Sequence, residues 1–374
     1  MTASPDTIVD RTEGQPAKHD RAGSRVRIHL RLPPWLGAVL VTAALVYGTS
    51  RLSPTFLRPQ NLMDIVAQKA AVGIIAVGLT LVITAGGIDL SVGSLMALAG
   101  GVGVLVLGEL TQLGWSGWIA TVVAAATMLA IGAVAGLLNG WLIAKRRLPP
   151  FIATLAALLA FRAGAQCIAN GGQFRTAEPV HAFAVVGEGY PIPGTDVSVS
   201  RRPNHKVVPL VVPYEVMVWA GVAVVGMVVL NRTRLGRYAV AVGSNARAAR
   251  YSAVPVARVR ILLYVLSGLL VGLAAFMEAA RYDSVNSGSD GLYFELYAIA
   301  AAVIGGTRME GGTGSVFGSV VGTLLLAVIF NVLVSVTEIH LGRFHLTINP
   351  QATGVATGLI IVAAAMVQRS GPAE

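Results

Sequence analysis

Charged residues are scarce in this chain. Only 12% of its 374 residues are Asp, Glu, Lys or Arg, about half the share usual in soluble domains. So little charge cannot cover a water-soluble body of this size, and lipid must be the solvent for much of it. Cysteine is nearly missing, and the single Cys167 excludes an internal disulfide. The six histidines (His19, His29, His181, His205, His340, His345) lie in or beside loops with no pair at metal-ligand spacing, so neither a metal site nor a cofactor is expected. The glycines of "GGTRMEGGTGS" (305–315) come without a phosphate-loop lysine followed by Ser or Thr, so the chain should not hydrolyse nucleotide itself. No nucleophile–base pair suggests an enzyme. The first 30 residues also lack an apolar core followed by a small-residue cleavage site, so no cleavable signal is expected.

Long apolar runs are what the chain has in abundance. They cover 34–50, 70–88, 92–108, 116–144, 151–160, 207–230, 261–277, 298–306, 314–337 and 351–367, within a mean hydropathy of +0.70. A membrane helix needs about 20 apolar residues, which most of these runs reach once Gly, Ser and Thr are admitted. The expectation is an all-α, polytopic helical membrane protein of about ten transmembrane helices filling residues 34–370, with broken or re-entrant segments near 86–91 and 305–314. A disordered cytoplasmic arm, residues 1–33, precedes it. A β-barrel is excluded because its strands would alternate every second residue, and these runs are uniformly apolar. The 43 glycines suit helices that approach closely in lipid.

The net charge of +10 does not point to nucleic acid, because the basic residues cluster in short segments beside the apolar runs. Lys145, Arg146 and Arg147 form one cluster. Arg232, Arg234, Arg237, Arg247, Arg250, Arg258 and Arg260 form another, with no acid between 231 and 260. A third lies in the amino-terminal arm. Positive residues near span ends mark the cytoplasmic side. Placing all three inside leaves loop 171–206 outside, loop 231–260 inside and both termini cytoplasmic, without conflict.

Within the second block, "TAGGIDLSVGSLMALAGG" (84–101) sets a formal charge, Asp89, among apolar residues. A carboxylate there is costly unless paired or hydrated. It could relay protons or sodium ions in a secondary transporter, lie at the cytoplasmic water interface, or hold a helix break by satisfying backbone N–H groups ahead of a helix starting near Ser91. "VIGGTRMEGGTGSVFGSVVG" (303–322) echoes its order of paired glycines, charged turn and Gly-Ser helix start. Two such breaks, at Gly86, Gly87, Asp89 and Ser91 and at Gly305 and Gly306, would line a substrate path with backbone polar groups. In loop 231–260, "SNARAARYSA" opens on the capping types Ser244 and Asn245. Its small residues Ala246, Ala248, Ala249 and Ala253 suit insertion into a partner's groove.

Four segments together, "VGLTLVITAGGIDLSVGSLMALAG", "LPPFIATLAALLAFRAGAQCIANGG", "RTRLGRYAVAVGSNARAARYSAVPVARVRILLYVLSGLLVGLAA" and "FELYAIAAAVIGGTRMEGGTGSVFGSVVGTLLL", resemble the ribose-type membrane permeases of bacterial ABC sugar importers. They occur in the family's order over roughly 56–368. The resemblance implies a non-catalytic permease subunit in the bacterial cytoplasmic (inner) membrane, paired with a second permease subunit. It also implies a cytoplasmic ABC ATPase and an extracytoplasmic sugar-binding protein. By position, it gives Gly236, Arg237, Gly243, Asn245, Ala248 and Ala249 the role of coupling to the ATPase. Branched-chain amino acid permeases have a related architecture, but "GGIDLS" and "GRYAVAVGSNARAARYSA" match the sugar group better. The outer loop, lengthened by "SVSRRPNHK", and the insert "TEIHLGRFHLTINPQ" depart from the usual pattern on the face where a binding protein would dock. Asp89→Asn is expected to impair assembly or coupling in transport assays while leaving the order of sugar preference unchanged.

Overall fold

The structure, a computed structural model, describes residues 35–52, 56–198 and 207–335, two short strands at 338–341 and 344–347, and isolated positions 33, 355 and 358. Apart from those positions, the expected arm (1–33), the inserted residues 199–206 and the tenth apolar run (351–367) lie outside the described residues.

The apolar runs fold as helices: α1 (Leu36–Leu52), α2 (Pro59–Ala67), α3 (Ala70–Thr84), α4 (Val92–Gln112), α5 (Gly117–Ala144) and α6 (Pro150–Ile168). Beyond them come strand β1 (Gln173–Phe174), the short helix α7 (His181–Gly187) and strands β2 (Gly189–Ser198) and β3 (Val207–Pro213). Helices α8 (Tyr214–Arg232), α9 (Arg234–Ser244), α10 (Ala246–Tyr251) and α11 (Val256–Tyr282) follow, then strand β4 (Val285–Asn286). Last are α12 (Phe294–Ile304), α13 (Val316–Ser335) and the hairpin β5 (Glu338–Leu341) and β6 (Phe344–Thr347). Among the described residues six helices (α4, α5, α6, α8, α11, α13) are long and apolar enough to cross a bilayer, and the α2–α3 pair, bent by 47°, makes a seventh if it is one span. The chain is therefore a polytopic helical protein, with fewer full-length helices described than the ten apolar runs.

Burial explains the composition of each helix. Every residue of α3 is buried, which is why this segment is apolar on all sides. Helix α6 buries only Ala153, Thr154 and Ala165, leaving most of its surface to lipid or to another chain. Between these extremes α5 and α11 pack along a seam of glycines. A methyl group added at Gly132 would strike the Gly268 carbonyl, one at Gly268 the Gly132 carbonyl, and one at Gly136 the Tyr264 carbonyl. Contact at backbone distance replaces the side-chain burial that lipid does not reward.

Successive helix ends alternate between two faces. One gathers the Gly86 turn, the α5–α6 turn, the basic segment 232–256 and the 305–315 turn: a small cleft there is lined by Gly86, Ile143, Pro150 and Arg260. The other carries α7, whose Gly187 abuts the Ala280 carbonyl; the β1–β4 pair, with Phe174 opposite Val285, lies further in, against Gly101 and Gly100 midway along α4.

The sixth apolar run corrects the expectation. Residues 207–213 are strand β3, paired antiparallel with β2, and the helix starts only at Tyr214. The reason is local: "VVPLVVP" places two prolines and four valines in seven residues, and proline removes the N–H that a helix needs. Gln60 of α2 accepts from Val211 N at 3.0 Å, tying the hairpin to the helical body.

At the same face Arg281 in the last turn of α11 donates to Glu215 in the first turn of α8 at 3.0 Å, with Glu215 only 3% exposed. Removing one partner of a buried pair strands the other charge, costing about 3–5 kcal/mol. Arg281→Met should lower the thermal unfolding temperature in detergent. The double variant Glu215→Gln/Arg281→Met, which removes both charges of the pair, should recover part of the loss, the neighbouring Glu278 still missing Arg281.

Candidate coupling and translocation site

Helix α3 stops because the Gly-Gly pair lets the chain turn: Gly86 has φ +75°, a left-handed conformation open to glycine. The chain then runs irregularly to Ser91. Each polar backbone group exposed by the break has to find a partner inside the protein. Asp89, 2% exposed, accepts from Ser91 N at 2.9 Å and from Ser91 Oγ at 2.6 Å. It thus fixes the N-cap residue of α4 and does not bond the first-turn N–H groups directly. Asn139 of α5 donates to Ser91 Oγ at 2.9 Å. Tyr264 of α11 donates its hydroxyl to Ile88 O at 2.8 Å, and Thr154 of α6 reaches the same oxygen at 3.5 Å. Three helices therefore hold one break, and the Asp89 carboxylate is engaged with Ser91.

The second break, 305–315, folds back on itself. Gly306, Gly311 and Gly312 take φ of +98°, +91° and +78°. Arg308 N donates to Thr313 O at 3.1 Å, and Ser315 Oγ caps α13 by accepting from Gly318 N at 3.0 Å. Gly305 lies so close to Gly318 that a methyl group on either would overlap the other's backbone.

Tertiary structure places the two breaks side by side. Gly312 N donates to Thr84 O at 2.9 Å, and the Thr80 and Ser319 hydroxyls share a 2.6 Å hydrogen bond. A methyl group on Gly311 would come within 2.9 Å of Gly86 N. The echo between 83–100 and 303–322 is thus also a spatial pairing.

Helix α9 ends on this pair. Thr233 caps it, its hydroxyl accepting from Gly236 N at 3.3 Å. A methyl group added at Gly243 would run into both Thr84 O and Gly312 N. Asn245 then caps α10 through its side-chain oxygen, accepting from Arg247 N and Ala248 N at 3.0 Å each. Gly236, abutting the Leu230 carbonyl, and Ala249, 5% exposed, pack within this chain. Among the small residues, Ala248 and Ala253 are the exposed ones. Arg237, Arg247 and Arg250 are also exposed, beside Tyr251 at 93%. Residue order alone did not single out Tyr251, Tyr264 or Asn139. Tyr251 stands last in an alanine-rich helix, whereas the two break-holding partners lie 48 and 176 residues from what they hold. Among the described residues no group of three His, Cys, Asp or Glu could hold a metal ion.

Gly243→Ala tests the contact. Its methyl group should disrupt the Gly312–Thr84 hydrogen bond and lower the unfolding temperature, whereas Ala248→Ser, on the exposed side of α10, should leave it unchanged in the same thermal assay.

A protein-family profile described as "Branched-chain amino acid transport system / permease component" matches residues 61–365. The ribose import permease protein RbsC of Escherichia coli is 39% identical over 297 residues, covering 79% of this chain and 83% of that protein. RbsC of Bacillus subtilis is 33% identical over 314 residues (82% and 87%). The xylose transport system permease protein XylH of Haemophilus influenzae is 30% identical over 346 residues (81% and 89%). With this family profile over most of its length and ribose and xylose permeases as its relatives, the chain belongs to the ABC-importer permease family, among the monosaccharide import permeases.

Proposed function

We propose that this chain is the membrane subunit through which a neutral monosaccharide, of the pentose class named for its relatives or a related hexose, crosses a bacterial cytoplasmic membrane. A separate cytoplasmic ABC ATPase supplies the energy, an extracytoplasmic binding protein delivers the sugar, and a second permease subunit completes the path. In this reading the chain crosses the membrane ten times from residue 34 to 370 and keeps both termini, including the arm 1–33, in the cytoplasm.

One observation carries the mechanism. The last turn of α9, at Gly243, touches both helix breaks at once, and the segment that holds it has seven arginines and no acid between 231 and 260. A rigid partner that pushes on α9–α10 would move Thr84 and Gly312 together, because no side chain intervenes to absorb the displacement. The two breaks, at Gly86, Gly87, Asp89 and Ser91 and at Gly305 and Gly306, then act as joints of the path. Arg237 and the exposed surface at Asn245 and Ala248 meet the ATPase, while Gly236, Gly243 and Ala249 transmit its movement inward. Sugar passage needs no covalent chemistry.

Purification of the tagged chain in mild detergent from its native host should bring ATPase activity with it. Arg237→Glu together with Arg250→Glu reverses two exposed charges worth up to about 1 kcal/mol each, which should reduce the co-purifying activity by roughly tenfold or more. Recovery of undiminished ATPase with that variant would remove α9–α10 as the docking surface.

A further inference from the structure

Residues 282–293, "YDSVNSGSDGLY", link α11 to α12 and in sequence look like an ordinary outer loop. The structure folds them inward. Arg162 of α6 donates through Nη1 to Ser287 O at 3.0 Å and Asp290 O at 2.8 Å. Gly291, at φ +69°, packs backbone to backbone on Gly93 in the first turn of α4, at the opposite end of α4 from the face the loop leaves. Arg162 is six residues, about 9 Å at the helical rise, from the Ile168 end of α6. Helical side chains lean toward their N-terminus, so the guanidinium points into the span and away from the near surface. The loop is built rather than slack: Asn286 Oδ1 accepts from Gly288 N and Ser289 N at 3.0 Å each, and Asp290 Oδ2 from Asn286 N at 2.8 Å.

Irregular polar chain at this depth is tolerated only where protein buries it or water fills the space beside it. Protein buries Val285, Ser287 and Gly291 but leaves the rest of the loop at least partly uncovered. Ser289 is exposed and Arg162, Asp290 and Glu295 are partly exposed. A guanidinium has five N–H donors. With both Nη1 hydrogens bonded to the loop, the Nε and Nη2 hydrogens of Arg162 meet no acceptor among the described residues. Within electrostatic reach of Arg162 stand the carboxylates of Glu295 and Asp290.

We infer that loop 283–293 and the adjoining side of α6 form a water-filled wall of the translocation path, where Arg162, Asp290 and Glu295 hydrogen-bond a neutral polyhydroxylated solute. Free guanidinium donors and carboxylate acceptors within one patch suit adjacent hydroxyl groups, which both donate and accept. Two carboxylates against one guanidinium disfavour an anionic solute. That the wall is wet stands independently of the importer reading, whereas the identity of the solute rests on it.

The test has two arms, both on the full complex in right-side-out membrane vesicles. The chain's one cysteine, Cys167, is first replaced (Cys167→Ser), and Ser289→Cys or, on the exposed side of α8, Val225→Cys is then introduced. A charged, membrane-impermeant thiol reagent should modify Ser289→Cys and spare Val225→Cys. Reaction of Ser289→Cys only with a neutral, lipid-soluble reagent, or with neither, would overturn the wet wall whether or not any sugar is transported. In the second arm Glu295→Gln and Arg162→Gln should each lower uptake of radiolabelled ribose or xylose at least about tenfold, the loss of one charged hydrogen bond. Arg162→Lys should partly restore it, with complex recovery and unfolding temperature near wild type for Glu295→Gln. Wild-type uptake of neither sugar would count against the pentose assignment within the importer reading, the wet wall being decided by the labelling arm. Wild-type uptake matched by Glu295→Gln and Arg162→Gln would overturn the solute contact while leaving the labelling result intact.

Discussion

Every backbone N–H and C=O that leaves a helix inside a bilayer must find a partner within the protein, and this requirement governs how the chain is built. Helices α3 and α12 both stop short of a clean crossing, so each break releases donors and acceptors that need partners. The solution at 85–91 draws one residue from each of three helices: Asn139, Thr154 and Tyr264. At 305–315 the turn bonds to itself and to the end of α3 through Gly312 N and Thr84 O. Satisfying the breaks therefore joins them to one another and ties helices far apart in sequence into one unit.

Close packing follows from the same constraint. Lipid is as apolar as leucine, so burying leucine between helices in a membrane yields little. Helices gain instead by bringing backbones together, and the glycines at the α5–α11 seam and between the two breaks do this. The Gly243 contact belongs to the same pattern. Because α9 meets the breaks through backbone atoms, the contact is stiff, and a stiff contact can carry a displacement from a basic surface into the interior.

The inward loop at 283–293 shows how polar chain is accommodated on the side of α6 that this chain leaves uncovered. Its carbonyls are taken by Arg162 and its own side chains close the turn. What remains open is a set of charged hydrogen-bonding groups on an otherwise apolar surface. Such a surface suits a membrane protein that admits water and a polar solute along one side and lipid along the others.

Much of this was legible in residue order, because hydrophobicity and charge act locally. Uniform apolar runs specify membrane helices, arginines without acids mark one face, and "GGIDLS" announces a break with a carboxylate to hold it. The capping role of Asn245 was readable for the same reason, since its partners are two and three residues away. Residues 207–213 read as helix on hydropathy alone, whereas two prolines and a partner strand made them a hairpin. Residue order could not say that the two echoing breaks touch, that α9 ends against both, or that Tyr264 reaches back 176 residues to Ile88. It also gave no sign that Tyr282–Tyr293 turns inward to Arg162. Those facts depend on which helices lie side by side, and in lipid that choice is made by backbone-distance fit and by pairing of released polar groups across long separations, neither of which leaves a periodic trace along the chain.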